Sequence, residues 1–324
     1  MSKLYLITGA TGHVGTILTN ELISKKEDIR ALVIDGQEKD LPSEVEAVIG
    51  DITDRDSLKA FFDTSGYDQV TLIHLAAMVS IASKNSPTLY EVNVNGTQNV
   101  MGMALEASVD RVIYISSVHA IPEKPKGNVI TEVSSFNPTS VLGDYAKTKA
   151  MAAQIALDYA KKGMNVSVIH PSGVIGPGDR YHKNHMIRTI RAIQSGLISM
   201  GIKGGYDFVD SRDVAIGILE CEENGKAGEC YILNGHYVSI LDIVNIIRRN
   251  AGKRLTRLEL PLSLAKAFAP VAEKLTLFFS RKTPIFTPYS VYTLQANSAF
   301  SHEKAYRDFG YHPRCISETI IASL

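Results

Sequence analysis

Residues 4–15 read LYLITGATGHVG, and this stretch constrains the chain more than any other. A short apolar run ends at Gly9, glycines recur at Gly12 and Gly15, and a helical apolar pattern occupies 14–25. Each glycine has a physical task. Gly9 permits a tight turn after the strand, Gly12 lets an anion approach the backbone, and Gly15 allows helix and strand to pack closely. The N–H groups at the start of the helix favour a pyrophosphate, which would lie beside Thr11, His13 and Val14. The plainer alternative is a glycine-rich turn without a ligand. The strand before the glycines and the helix after them count against it.

The pattern continues in the same alternation. Strands are expected at 4–8, 29–34, 45–49, 70–75, 111–115 and 166–169. Helices are expected at 54–63 with Thr53 as N-cap, at 88–106 and at 144–162. Val-, Ile- and Leu-rich strands separated by helices imply an α/β fold, a doubly wound parallel sheet covered on both faces. After His170 the texture changes to a Gly/Pro loop (171–179), then a helix at 185–195, strands at 206–210 and 230–234, and a Ser-capped helix at 239–252. This predicts a dinucleotide-binding domain over 1–170, to which 204–235 return. A smaller, mostly helical second domain is predicted over 171–203 and 236–324.

Composition excludes several classes. Lys plus Arg and Asp plus Glu are both 34, so no basic face is offered to nucleic acid. The three cysteines, Cys221, Cys230 and Cys315, lack metal or redox spacing, and no His/Cys/Asp cluster suggests a metal. A reducing cytoplasm fits this usage. No signal-peptide core and no apolar run long enough to span a bilayer is present. The segment 262–279 is expected to be an amphipathic helix packed on its own domain, with docking on a membrane surface as the alternative.

The spacing Gly-x-x-Gly-x-x-Gly resembles that of the extended short-chain dehydrogenase/reductase superfamily, and further stretches match it in order. These are GDITD at 50–54, HLAA at 74–77, NVNGTQNV at 93–100, YISS at 114–117, Tyr145-x-x-x-Lys149, HPSGVIGPG at 170–178 and FVDSRDVA at 208–215. The resemblance spans nearly the whole chain. It implies a Rossmann-type fold and an NAD(P) cofactor held by Gly9, Gly12, Gly15, Asp51 and Ile52 near the adenine, and Leu75, Ala76 and Ala77 along the fourth strand end. It also implies that Pro171, Ser172 and Val174 bound the nicotinamide.

The same resemblance makes Tyr145 the proton donor or acceptor, with Lys149 binding ribose, Ser117 holding the substrate oxygen and Asn93 ordering water near Lys149. A free phenol titrates near 10, and a cation one helical turn away favours phenolate. Val79, Ser80 and His119 are expected at the substrate pocket. His182 and His185 lie at its entrance or in solvent, and Arg212 and Asp213 serve in capping or pairing.

Val118, His119 and Ala120 follow Ser117, so the acidic pair of sugar dehydratases is missing. The stretch 282–314 resembles the group around dihydroflavonol reductase and 3β-hydroxysteroid dehydrogenase. The expected activity is therefore carbonyl reduction or the matching alcohol oxidation on a small molecule. A nucleotide-sugar epimerase is the alternative, and a non-catalytic NAD(P)-binding regulator is third. Asp35, after the second strand, is placed to accept from a ribose 2′-hydroxyl, which favours NAD over NADP. Helices 88–106 and 144–162 are expected to form a homodimer interface.

Overall fold

The computed structural model describes residues 2–79, 87–180, 184–267, 269–270 and 287–324. Ser80, His182 and much of 262–279 lie outside them. In chain order the N-terminal elements are β1 (Lys3–Thr8), α1 (His13–Ser24), β2 (Asp28–Val33), β3 (Glu46–Ile49), β4 (Gln69–His74), α2 (Pro87–Tyr90), α3 (Thr97–Glu106) and β5 (Arg111–Ile115). They continue with α4 (Asp144–Lys161), β6 (Val166–Pro171), β7 (Gly173–Ile175), α5 (His185–Gln194), β8 (Gly201–Ile202), β9 (Gly205–Asp210), α6 (Ser211–Asn224), β10 (Cys230–Leu233), β11 (His236–Ser239) and α7 (Ile240–Asn250).

The seven-stranded sheet has the order β10-β6-β5-β4-β1-β2-β3, and all its pairs are parallel. The chain winds outward through β2 and β3, then restarts beside β1 with β4. The carboxyl ends of β1 and β4 therefore flank the topological switch point, where doubly wound sheets bind ligands. Alternation along β1 builds both faces. Leu4 and Leu6 enter one apolar cluster with Leu72, Val112 and Val166, while Tyr5 and Ile7 enter another with Leu18, Ile113 and Ile218. A third cluster joins α5, β9 and α7 through Ile187, Phe208 and Ile243. There β11, β9 and β7 form a separate three-stranded sheet.

Two expected helices differ. At 54–63 only a short 3-10 turn forms, Arg55–Leu58, capped by the Asp54 side chain rather than by Thr53. The Thr53 hydroxyl and N–H are both drawn to Asp51 Oδ1 at 2.8 Å. The segment 88–106 contains a π-helical turn, Glu91–Gly96, between α2 and α3. By contrast α7 begins as its sequence predicts, with Ser239 and Asp242 forming a reciprocal capping box. Arg212 chelates Asp210 at the start of α6, and Arg314 joins Asp213 at 2.7 Å, which ties the C-terminal segment to α6.

Candidate active site

The glycine turn has the shape its spacing predicts. Gly9 has φ +76, and a Cβ there would stand 2.8 Å from the Ala76 nitrogen. A Cβ on Gly15 would stand 2.1 Å from the Gly9 carbonyl oxygen. No side chain caps α1 at Gly12, so its first-turn N–H groups remain for an anion. These residues fit a dinucleotide pyrophosphate. His13 lies beside the opposite loop, its Nε2 3.1 Å from the Gly176 carbonyl. Asn184 donates to the Val174 carbonyl at 2.7 Å, which commits that oxygen within the loop. Pro171 ends β6, and Ser172 is buried just beyond it.

Along the adenosine side, Asp35 is exposed in a turn closed by Gln37 N–H to the Ile34 carbonyl at 3.1 Å. Gln37 accepts from the Thr11 hydroxyl at 3.0 Å, so its side chain lies on the glycine turn. Sequence reasoning missed Gln37, because a polar residue in a turn carries no periodic signal. Asp51 is exposed and its Oδ1 is taken by Thr53, while Ile52 is buried beneath Gly96. Leu75 and Ala76 leave β4 with their N–H groups on Thr8, and Ala77 follows them.

Ser117 and Tyr145 are brought together from β5 and α4. The Ser117 hydroxyl accepts from the His119 N–H at 3.3 Å and lies near the Tyr145 phenol; burial pushes that phenol up to about 12, against the lowering effect of Ser117. Lys149 is 2% exposed, and burial pushes it down to about 7. Its Nζ donates to the Ile115 carbonyl at 2.8 Å and to Tyr114 Oη at 3.4 Å. In this chain burial therefore outweighs the expected drift of the phenol toward neutrality.

Asn93 sits in the π-helical turn. Its amide bridges the chain after β4 to α4, donating to the Met78 carbonyl at 3.0 Å and to Thr148 Oγ1 at 3.1 Å. Its side-chain Oδ1 accepts from the Met78 N–H at 2.7 Å, and its backbone carbonyl accepts from Thr97 Oγ1 at 2.8 Å.

Beside Tyr145 opens a cleft of about 270 Å³, walled by Val118, His119, Val141, Tyr206, Tyr289 and Phe300. His119 stacks on Tyr206 and meets the Tyr145 ring edge-on at 5.9 Å. Its two ring nitrogens lie 3.3 Å from the hydroxyls of Tyr206 and Tyr289. Glu123 stands at the mouth and accepts from Tyr292 Oη at 2.9 Å. Among the described lining residues there is no Lys or Arg. Val79 is 65% exposed and does not line this cleft. The three tyrosines were not foreseen, since they come from segments distant in sequence.

A parallel switch point, a glycine cradle and a Ser/Tyr/Lys group at one sheet edge define a dinucleotide-dependent enzyme of the Rossmann type. Residues 5–234 match the model of the NAD dependent epimerase/dehydratase family. The chain belongs to that family, the extended short-chain dehydrogenases/reductases, and NAD is its cofactor. It is 32% identical over 315 residues to sterol demethylase protein B of Methylococcus capsulatus, covering 95% of this chain and 93% of the relative. It is 25% identical over 335 residues to a 3-beta-hydroxysteroid dehydrogenase of Mycolicibacterium neoaurum, covering 98% and 89%. The crystal structure of gox2253 matches with a TM-score of 0.82 at 29% identity, covering 99% and 96%. Among the described residues no helix is long and apolar enough to cross a membrane, and no group of His, Cys, Asp or Glu is placed to hold a metal.

Proposed function

We propose that the protein interconverts a ketone or aldehyde and the matching secondary alcohol, with Tyr145 as the acid/base. The observation that carries this reading is Tyr145 placed near Ser117 and against His119, which walls an aromatic cleft. A nicotinamide dinucleotide held by the glycine cradle would supply or accept the hydride at the substrate carbon. In reduction, Ser117 donates to the carbonyl oxygen and orients it. Tyr145 transfers its phenolic proton to that oxygen, and one proton from solvent restores the phenol. A phenol held protonated by burial suits the role of acid at neutral pH. Lys149 binds the ribose from its buried position, and its charge offsets the transient phenolate. Gly9, Gly12 and Gly15 hold the pyrophosphate, and Asp35 faces the adenosine ribose.

The cleft chemistry favours a reductase or dehydrogenase over an epimerase. Val118, His119 and Ala120 after Ser117 supply no carboxylate for eliminating water, which argues against a dehydratase as well. The described walls combine rings and aliphatic groups with hydroxyls, Asn297 and the Glu123 carboxylate, but offer no cation to pair with a diphosphate. Such walls suit a ring-bearing substrate without a phosphate, in keeping with the steroid dehydrogenase and sterol demethylase names of its relatives. The test is NADH consumption over a panel of alicyclic and polycyclic ketones, alongside interconversion of UDP-glucose and UDP-galactose. Turnover of ring ketones that disappears in Tyr145→Phe is expected. Sugar-nucleotide interconversion with inert ketones would overturn the reading in favour of an epimerase.

A further inference from the structure

Two backbone groups fix the direction of every proton in a buried chain under the site. The Ala76 N–H donates to Thr8 Oγ1 at 3.1 Å. The Thr8 hydroxyl directs its own proton to His74 Nδ1 at 2.6 Å. Because Thr97 Oγ1 gives its one proton to the Asn93 backbone carbonyl, neutral His74 is the Nε2–H tautomer, donates to Thr97 Oγ1 at 3.2 Å and accepts from Thr8 at Nδ1. Thr97 must donate to the Asn93 carbonyl at 2.8 Å, since a carbonyl only accepts. Tyr114 also lies beside Thr97, whose proton is already committed, so within that pair the phenol can only donate. Its oxygen then presents only lone pairs to Lys149 Nζ, 3.4 Å away. Thr8, His74, Asn93, Thr97, Tyr114 and Lys149 are each at most 2% exposed, so water does not loosen this order.

We infer that Tyr114, oriented by Thr97 and His74, is a positioning residue that sets the protonation of Lys149; its link to catalysis rests on the role given to Lys149 above. Burial drives Lys149 toward the neutral amine. The lone pairs of Tyr114 and Ile115 and the face of the Tyr114 ring, whose centroid is 5.1 Å from Nζ, oppose this and hold the ammonium. Other titratable groups facing Lys149 are His74 from β4, His170 from β6 and Tyr145 one turn earlier on α4. Burial keeps His74 and His170 neutral, pushed down to about 3 and about 4, and Tyr145 protonated, pushed up to about 12. None of them titrates alongside Lys149 near neutrality.

The experiment is a pH titration of the lysine Nζ resonances in the full chain labelled with [15N]lysine, without nucleotide, with Lys149 assigned from Lys149→Arg. The wild type titrates near neutral pH. Tyr114→Phe lowers the midpoint by about one pH unit, a roughly tenfold loss of proton affinity. Thr97→Val moves it the same way, and Thr97→Ser restores it. If Tyr114→Phe does not fold, the Thr97 pair carries the test. An unchanged midpoint in the folded variants overturns the inference, and so does a lowered melting temperature with an unmoved midpoint. Because no turnover is read, failure here is distinct from a protein that proves inert toward ketones.

Discussion

Tyr145 concentrates the chemistry in one hydroxyl, so its removal separates rate from binding. Tyr145→Phe keeps the ring against His119 but loses the proton donor. Turnover is expected to fall at least about a hundredfold while NADH affinity stays within about twofold. Steady-state rates and a fluorescence titration check this, and activity within tenfold of wild type contradicts it. The raised phenol also gives a sign in pH. Alcohol oxidation needs phenolate, so its rate should climb about tenfold per pH unit below the phenol's pKa, while ketone reduction declines only at strongly alkaline pH. On the adenosine side, NADH should bind more tightly than NADPH, and Asp35→Ala should narrow the gap in paired titrations. A tighter NADPH constant would remove Asp35 from the ribose. Tyr145 and Lys149 could be singled out from their spacing along α4, and Ser117 from the likeness of the YISS stretch just after β5. Gln37, Tyr206 and Tyr289 were not, because turn geometry and tertiary packing bring them to the site.

Among the elements, the β1–α1 turn is the least tolerant of added volume. Gly15→Ala would set a methyl 2.1 Å from the Gly9 carbonyl oxygen, which belongs to backbone and cannot rotate away. The variant should lose dinucleotide binding and about 1–3 kcal/mol of stability, the range for overpacking. Gly36→Ala is the control. It has positive φ but nothing within 4 Å, so it should cost about 1 kcal/mol and leave binding largely intact. Calorimetry and a nucleotide titration on both variants decide the matter, and normal binding by Gly15→Ala would show that the turn can re-form. The helix expected over 88–106 shows what apolar periodicity conceals. The pattern gives helix throughout, yet the segment carries a π-helical turn at Asn93, and Thr97 Oγ1 takes the Asn93 carbonyl. Similarly, Asp51 draws Thr53 into its own turn and shortens the helix expected at 54–63.

For the whole molecule, the parallel sheet was legible because buried strands leave long apolar runs between helices. The separate β11-β9-β7 sheet was not, since β7 is three residues long and directly follows β6. Burying polar groups beneath the sheet's carboxyl edge also makes stability depend on pH. His74 and His170 have no exposed surface, and burial pushes them down to about 3 and about 4 from an ordinary 6.5. A depressed histidine pKa means that the unfolded chain binds the proton more tightly. The stability these two rings contribute is therefore full above about pH 6.5 and is lost as pH falls toward the folded values. Each histidine contributes roughly 1.4 kcal/mol per pH unit in that window, so the pair removes about 5 kcal/mol by two units below 6.5. That equals the lower end of a typical domain's net stability, about 5–15 kcal/mol. Asp207, Asp213 and Glu220, raised by burial, act in the opposite sense and reduce the slope at its acid end. Lys149, pushed down to about 7, already lets stability decline as pH falls from 8 to 7, and the melting temperature should then fall steeply from 6.5 to 4.5 with net proton uptake on unfolding, since burial also pushes His119 and His185 down to about 4. Scanning calorimetry across that range tests this. A flat profile to pH 5 would mean that these two rings accept protons without unfolding the chain.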